Sequence, residues 1–252
     1  MTFNLEIKMK SKTNLTRYAL MLCIAFSQLV GQLSLAEKAE GGVAGGGGDA
    51  ILCNDGKYYS YDYIITLGSA ETLNPEYINA TSAKQIVLDI AKNLKTKVMY
   101  MGPNLEAFVA RIGASAYDTN NYSQRVWLTG INPLFDVSDE SRLRIPKDCL
   151  NEVGEPKIFQ AVIRTKSKHG IIQYNYDQNI THALNSNSPM QLSFLYVHEW
   201  LRDYTDDPAT LVNMTRMLHS KDWTGMDTKA VLMGMIRYGM SPLKIVSPNK
   251  IK

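Results

Sequence analysis

The change of hydrophobic period between residues 157 and 204 restricts the fold of this chain more than any other feature. Between residues 157 and 176 apolar side chains alternate. The runs KIFQAVIRT and IIQYNY flank the polar connector Lys166-Ser167-Lys168-His169-Gly170. A period of two around a glycine-ended connector is the pattern of an antiparallel β hairpin, with Phe159, Ala161 and Ile163 expected toward the core and His169 in the turn. From Ser188 the spacing becomes three to four, and Met190, Phe194, Val197, Leu201 and Tyr204 form one stripe of a helix. Strands followed by a helical C-terminal half place the chain in the α+β class.

Local signals set the element boundaries. Ser188, Pro189 and Gln191 give a cap, a first helical position and capping-box spacing. Thr205-Asp206-Asp207-Pro208 ends that helix and opens the next, ATLVNMTRMLHS, with acids at its positive end. A last helix is expected from about Met226 to Tyr238, with Met226, Met233, Met235 and Met240 filling core space. Upstream, Ser82 and Gln85 begin a helix to Lys95 carrying Ile86, Val87, Ile90, Ala91 and Leu94 on one face. A second helix runs from Asn104 to about Ala114. Residues 49–53, DAILC, read as a strand, and Asn54-Asp55-Gly56 as a turn into KYYSYDYI, whose tyrosines alternate as in a half-exposed strand. Val126 to Leu128 reads as a short strand, with irregular chain over 115–125 and 130–150. His182 falls in a short helix or turn. The expected domain is single, residues 49–240, followed by a Pro-broken tail, 241–252.

The N-terminus reads as an export signal. Lys8, Lys10, Lys12 and Arg17 form a basic front, YALMLCIAFSQLV an apolar run, and Ser34-Leu35-Ala36 a small-residue cleavage site, so residues 1–36 are expected to be a signal peptide. The run covers 13 residues, where a membrane-spanning helix needs about 20. No integral span is therefore expected after cleavage, and the destination is the periplasm or the extracellular space.

Charge follows from this. The full chain carries 27 basic and 24 acidic residues; without residues 1–36 both counts fall to 23. A neutral mature chain offers no electrostatic footprint for nucleic acid or an anionic membrane, and the sequence names no other partner. Residues 37–48, EKAEGGVAGGGG, read as a flexible glycine-rich leader. No Gly-Lys-Ser/Thr ending follows to make it a phosphate loop.

Removing the signal also removes Cys23 and leaves Cys53 and Cys149. In an oxidising compartment that pair is most simply one disulfide, two buried free thiols being the alternative. Their separation rules out zinc-ribbon spacing.

One constellation carries potential chemistry. On the helix from Ser188 the chain reads Val197-His198-Glu199-Trp200-Leu201-Arg202. Zinc peptidases use His-Glu-x-x-His, two histidines one turn apart on the metal and a glutamate that activates water. Here Arg202 stands where the second histidine belongs, and a guanidinium repels a cation. A metal reading therefore has to recruit His219 from the next helix, with Asp203, Asp206 and Asp207 near in sequence. The structural reading needs nothing further: Glu199 pairs with Arg202 three residues on, while His198 lies at the edge of the apolar stripe and Glu199 on the opposite side. His198 and Glu199 are thus the candidate catalytic residues, and His198 with His219 the candidate metal ligands. No cofactor is expected, zinc being the alternative.

The order Gly48-Asp49-Ala50-Ile51-Leu52-Cys53, Ile145-Pro146-Lys147-Asp148-Cys149, Gln160-Ala161-Val162-Ile163-Arg164 and Val197-His198-Glu199 with Arg202 resembles a group of uncharacterised exported proteins of predatory, Bdellovibrio-like Gram-negative bacteria. The resemblance covers most of residues 45–220 through short motifs. It implies that the cysteines pair and that His198, Glu199 and Arg202 recur as a set; it implies no activity. The resulting expectation is an exported, non-enzymatic protein whose His-Glu-Arg cluster is structural or meets a partner. The alternative is a diverged zinc-dependent hydrolase.

Overall fold

A computed structural model of the protein describes residues 48–68, 72–112, 125–130, 145–166, 172–242 and 245. All of them belong to one unit, residues 40–252. The expected export signal, most of the expected glycine-rich leader, the expected turn with His169, and most of the stretches 115–125 and 130–150 read as irregular lie outside the described residues.

The fold is α+β. A first sheet has the order β2-β1-β4 and is antiparallel throughout: β1 (Asp49–Leu52) lies between β2 (Tyr58–Ser60) and β4 (Lys157–Gln160), with Ile51 opposite Tyr59 on one side and Ile158 on the other. A second sheet has β6 (Ile172–Asp177) at its centre, antiparallel to β5 (Val162–Lys166) and parallel to β3 (Arg125–Gly130). The expected hairpin is therefore present only in its second half. β5 turns back onto β6, whereas KIFQ leaves at Ala161 to pair with β1 in the other sheet.

The change of sheet at Ala161 explains a shift of face. Alternation places Ala161 and Ile163 inside, yet Ala161 and Val162 are both fully buried and Ile163 is half-buried. Two consecutive buried residues mark a break in the pleat, because an unbroken strand sends neighbours to opposite faces. The carbonyl of Gly48 holds the break by accepting both the Ala161 N–H, at 2.7 Å, and the Val162 N–H, at 2.9 Å. Gly48, which the sequence assigns to a flexible leader, is thus buried and part of the fold.

A second correction concerns the tyrosine-rich stretch. Only Tyr58–Ser60 is strand; Tyr61–Leu67 is a helix, α1, with Ser60 at its N-cap position and Asp62 in its first turn. Short helix α2 (Pro75–Ile78) begins behind Asn74, whose side chain caps the Glu76 N–H. Helix α3 (Ala83–Lys97) carries the expected apolar face and the Ser82 cap. It packs closely against α4 (Met101–Arg111), which begins earlier than Asn104. Gly102 permits that approach. A Cβ there would sit 2.5 Å from the Lys95 nitrogen and 2.7 Å from the Ala91 carbonyl oxygen, both backbone atoms that cannot move aside.

The C-terminal half contains α5 (Gln178–Asn187), α6 (Pro189–Leu201), α7 (Pro208–His219) and α8 (Thr228–Arg237). Asp177, Ser188, Asp207 and Asp227 cap them in turn, each accepting an N–H of the first turn. Helix α6 is buried on every side from Met190 to Leu201, because α3, α5, α7 and β2 pack around it. The expected stripe is inside, but so is the face the sequence leaves outside. Met235 and Met240 fill core as expected, while Met226 is half-buried and Met233 exposed. Ile245, within the expected tail, is buried in the main core.

A smaller apolar cluster gathers Ile51, Tyr61, Ile64, Ile65, Ile145 and Val212 around Cys53 and Cys149. The two cysteines stand at disulfide distance, joining the end of β1 to the short 3-10 turn Lys147–Cys149 across 96 positions of sequence. The Asn54 N–H also donates to the Asp148 carbonyl at 2.8 Å. No described helix is long and apolar enough to cross a membrane.

Candidate functional site

His198 and Glu199 stand at the C-terminal end of α6, which brings their side chains into the interior rather than to a surface. Both are fully buried. His198 Nδ1 donates to Oδ2 of Asp62 at 2.8 Å, and Asp62, on α1, is fully buried as well. A carboxylate on Nδ1 fixes the ring and leaves Nε2 as its second nitrogen. Nε2, Oδ1 of Asp62 and Oγ of Ser60 are buried without a hydrogen-bond partner. This is the orienting half of an acid–base pair, but Ser60 does not complete a triad. Its N–H donates to Gln191 Oε1 at 3.2 Å, and Gln191 lies two helical turns, roughly 10 Å, before His198 along α6.

The expected outward position of Glu199 is corrected: because α6 is surrounded, its far side is interior too. Glu199 faces Arg202, with Oε2 at 3.5 Å from Nη1, and neither carboxylate oxygen has a hydrogen bond. Gly48 closes the other side. A Cβ at Gly48 would lie 2.6 Å from Oε1 of Glu199 and 3.0 Å from the Val162 carbonyl oxygen. A second ion pair sits beside the first, Arg164 on β5 with Asp203 at 3.0 Å. The end of α6 is further fixed by the Trp200 indole, which donates to Asn104 on α4 at 2.7 Å.

His219 belongs to a different group. Its Nδ1 donates to the Thr215 carbonyl at 2.8 Å and its Nε2 faces Ser193 Oγ at 2.9 Å. The ring stacks on Phe194, centroids 3.8 Å apart, with Tyr77 edge-on. Burial holds the imidazole pKa down to about 3, because charging it there forfeits hydration. His219 therefore meets α6 at Ser193 and Phe194, four to five residues before His198, or roughly 6–7.5 Å along the axis.

The sequence-selected residues are thus divided between two hydrogen-bonded groups. Asp203 is spent on Arg164, and Asp207 caps α7, its carboxyl held below the usual range by the Thr210 hydroxyl and N–H. Among the described residues no group of three or more His, Cys, Asp or Glu side chains is arranged to hold a metal ion. The interior partners missed in the sequence are Asp62, Gly48 and Ser193. The strand assignment of KYYSYDYI hid Asp62, since only a helix starting at Tyr61 turns it toward α6.

Fold and site together define an α+β domain with a cystine-distance pair and an Asp–His pair enclosed in its core. No protein-family profile, no curated protein and no solved structure matches the chain.

Proposed function

We propose that this is an exported protein of the periplasm or extracellular space that acts by binding rather than by catalysis, with His198, Glu199 and Arg202 bracing its core. The observation that carries this reading is burial: His198 and Glu199 have no exposed surface, and each faces a neighbour of the core, Asp62 or Arg202. A catalytic pair has to touch substrate, whereas a structural pair only has to be satisfied. The paired cysteines and neutral mature charge agree with an oxidising, extracytoplasmic destination.

A second reading is favoured by one observation. Nε2 of His198 and both oxygens of Glu199 have no hydrogen-bond partner, which is the state of groups reserved for a ligand. That reading is a diverged zinc-dependent hydrolase. Metal analysis of the mature protein purified without chelator, beside His198→Ala, separates the two. The binding-protein reading expects no stoichiometric metal in either. It also expects a variant less stable by about 3–5 kcal/mol, because Asp62 would be left as a buried, unpaired acid. One zinc per chain that disappears in the variant overturns it.

A further inference from the structure

An open cleft of about 710 Å³ lies between the first turns of α3 and α5 and the middle of α6. Its volume falls within the ~300–1,000 Å³ of small-molecule sites. Leu192 and Tyr196 of α6 form a largely apolar floor. Burial raises the pKa of the Tyr196 phenol, with the charge of Tyr176 adding to it, so the floor stays neutral. Around the floor stand the amide residues Gln178, Asn179 and Asn185, together with Lys84 and His182. Among the described residues no carboxylate lines the cleft, although the expected mature chain is electrically neutral. The acids nearest in sequence are engaged elsewhere: Asp177 caps the N–H groups of Asn179 and Ile180, and Asp89 accepts from Gln85. The ammonium of Lys84 is positioned by the Ile112 carbonyl at 2.7 Å, which uses one of its three donors.

We infer that this cleft binds a sugar acid, a small hydroxyl-rich ligand with one carboxylate. Amides both donate and accept, as sugar hydroxyls do, and the tyrosine and leucine floor suits the apolar face of a pyranose. The carboxylate is drawn by the Lys84 ammonium, with His182 as a ring N–H donor beside it, and no acid among the described lining residues opposes it. The inference rests on the binding-protein reading and names the ligand class and cleft for it. A free sugar acid and the terminal residue of an acidic polysaccharide offer the same groups.

The test is a titration of the ¹⁵N-labelled mature protein with galacturonate, with galactose, and with trigalacturonate, followed by amide shifts. Galacturonate is expected to shift residues of the first turns of α3 and α5 and the middle of α6, and to bind at least about tenfold more tightly than galactose, a factor worth one charge contact. The double variant Lys84→Gln/His182→Gln, at exposed positions that leave the core intact, is expected to lower galacturonate to the level of galactose. Tighter trigalacturonate binding assigns the polymer end; equal binding assigns the free acid. Absence of shifts at the cleft in a folded, well-dispersed spectrum, or equal affinity for galactose, overturns the inference. The metal analysis of the His198 variant would be untouched by that failure, so the two readings fail separately.

Discussion

Acidification should unfold this protein through His219, and the size of the effect follows from its surroundings. The ring is enclosed by Phe194, Tyr77, Ser193 and the Thr215 carbonyl, and its pKa falls from 6.5 to about 3. A pKa depressed in the folded state means that the unfolded chain binds more protons in between. The stabilisation is therefore complete above about pH 6.5 and is lost as pH falls toward 3. At ~1.4 kcal/mol per unit, the 3.5-unit interval is worth roughly 5 kcal/mol in full, and about 3 kcal/mol between pH 7 and pH 4. Urea unfolding of the wild type and of His219→Gln at pH 7, 6, 5 and 4 isolates this contribution, because the carboxylates titrate in both. With a urea slope of ~2 kcal/mol/M, the wild-type midpoint should fall by about 1.5 M more than that of the variant. If His219→Gln does not fold, the imidazole resonances of the wild type give the same answer directly. A flat difference between the two proteins, or a ring that titrates near pH 6.5, refutes the reasoning.

Three further outcomes test the packing. Gly102→Ala should cost about 1–3 kcal/mol or more in urea unfolding, since its Cβ would meet backbone atoms of Lys95 and Ala91; a change under 0.5 kcal/mol would mean that α3 and α4 are not so close. The two buried acids should respond unequally to loss of charge. Asp62→Asn breaks a 2.8 Å contact to His198, whereas Glu199→Gln removes an acid that has no hydrogen bond. The first should destabilise by about 1.5–3 kcal/mol and the second by under 1 kcal/mol or not at all, and thermal melts showing the reverse order would contradict this assignment. Titration of denatured, non-reduced mature protein should find no free thiol. Reduction should then lower stability by up to about 4–5 kcal/mol, the chain-entropy value for a loop of this length, and two reactive thiols would refute the pairing.

Much of the fold was legible because it depends on neighbours in sequence. The caps Ser82, Ser188 and Asp207 satisfy N–H groups two or three residues ahead, so type and spacing alone reveal them. The apolar face of α3 was legible for the same reason: it has a single partner side and hence a clean period. Helix α6 was legible as a helix but not in its environment. A helix enclosed on all sides has no polar face to read, and Glu199 looked outward for that reason. The tyrosines of residues 58–63 alternate through a strand end and on into a helix, so their period misled.

The sequence by itself determined the α+β class, the starts of α3, α6 and α7, the candidate cysteine pair and the adjacency of His198, Glu199 and Arg202. Each is a matter of residue type at short spacing, or of composition. Only the tertiary structure decided what those residues meet. It joined Asp62 to His198 across 136 positions, set Gly48 against Glu199, and gave His219 to Ser193 instead of to His198. The physical reason is that a buried polar group is defined by its partner, and these partners are chosen by how α1, α6 and α7 pack, which no local spacing encodes.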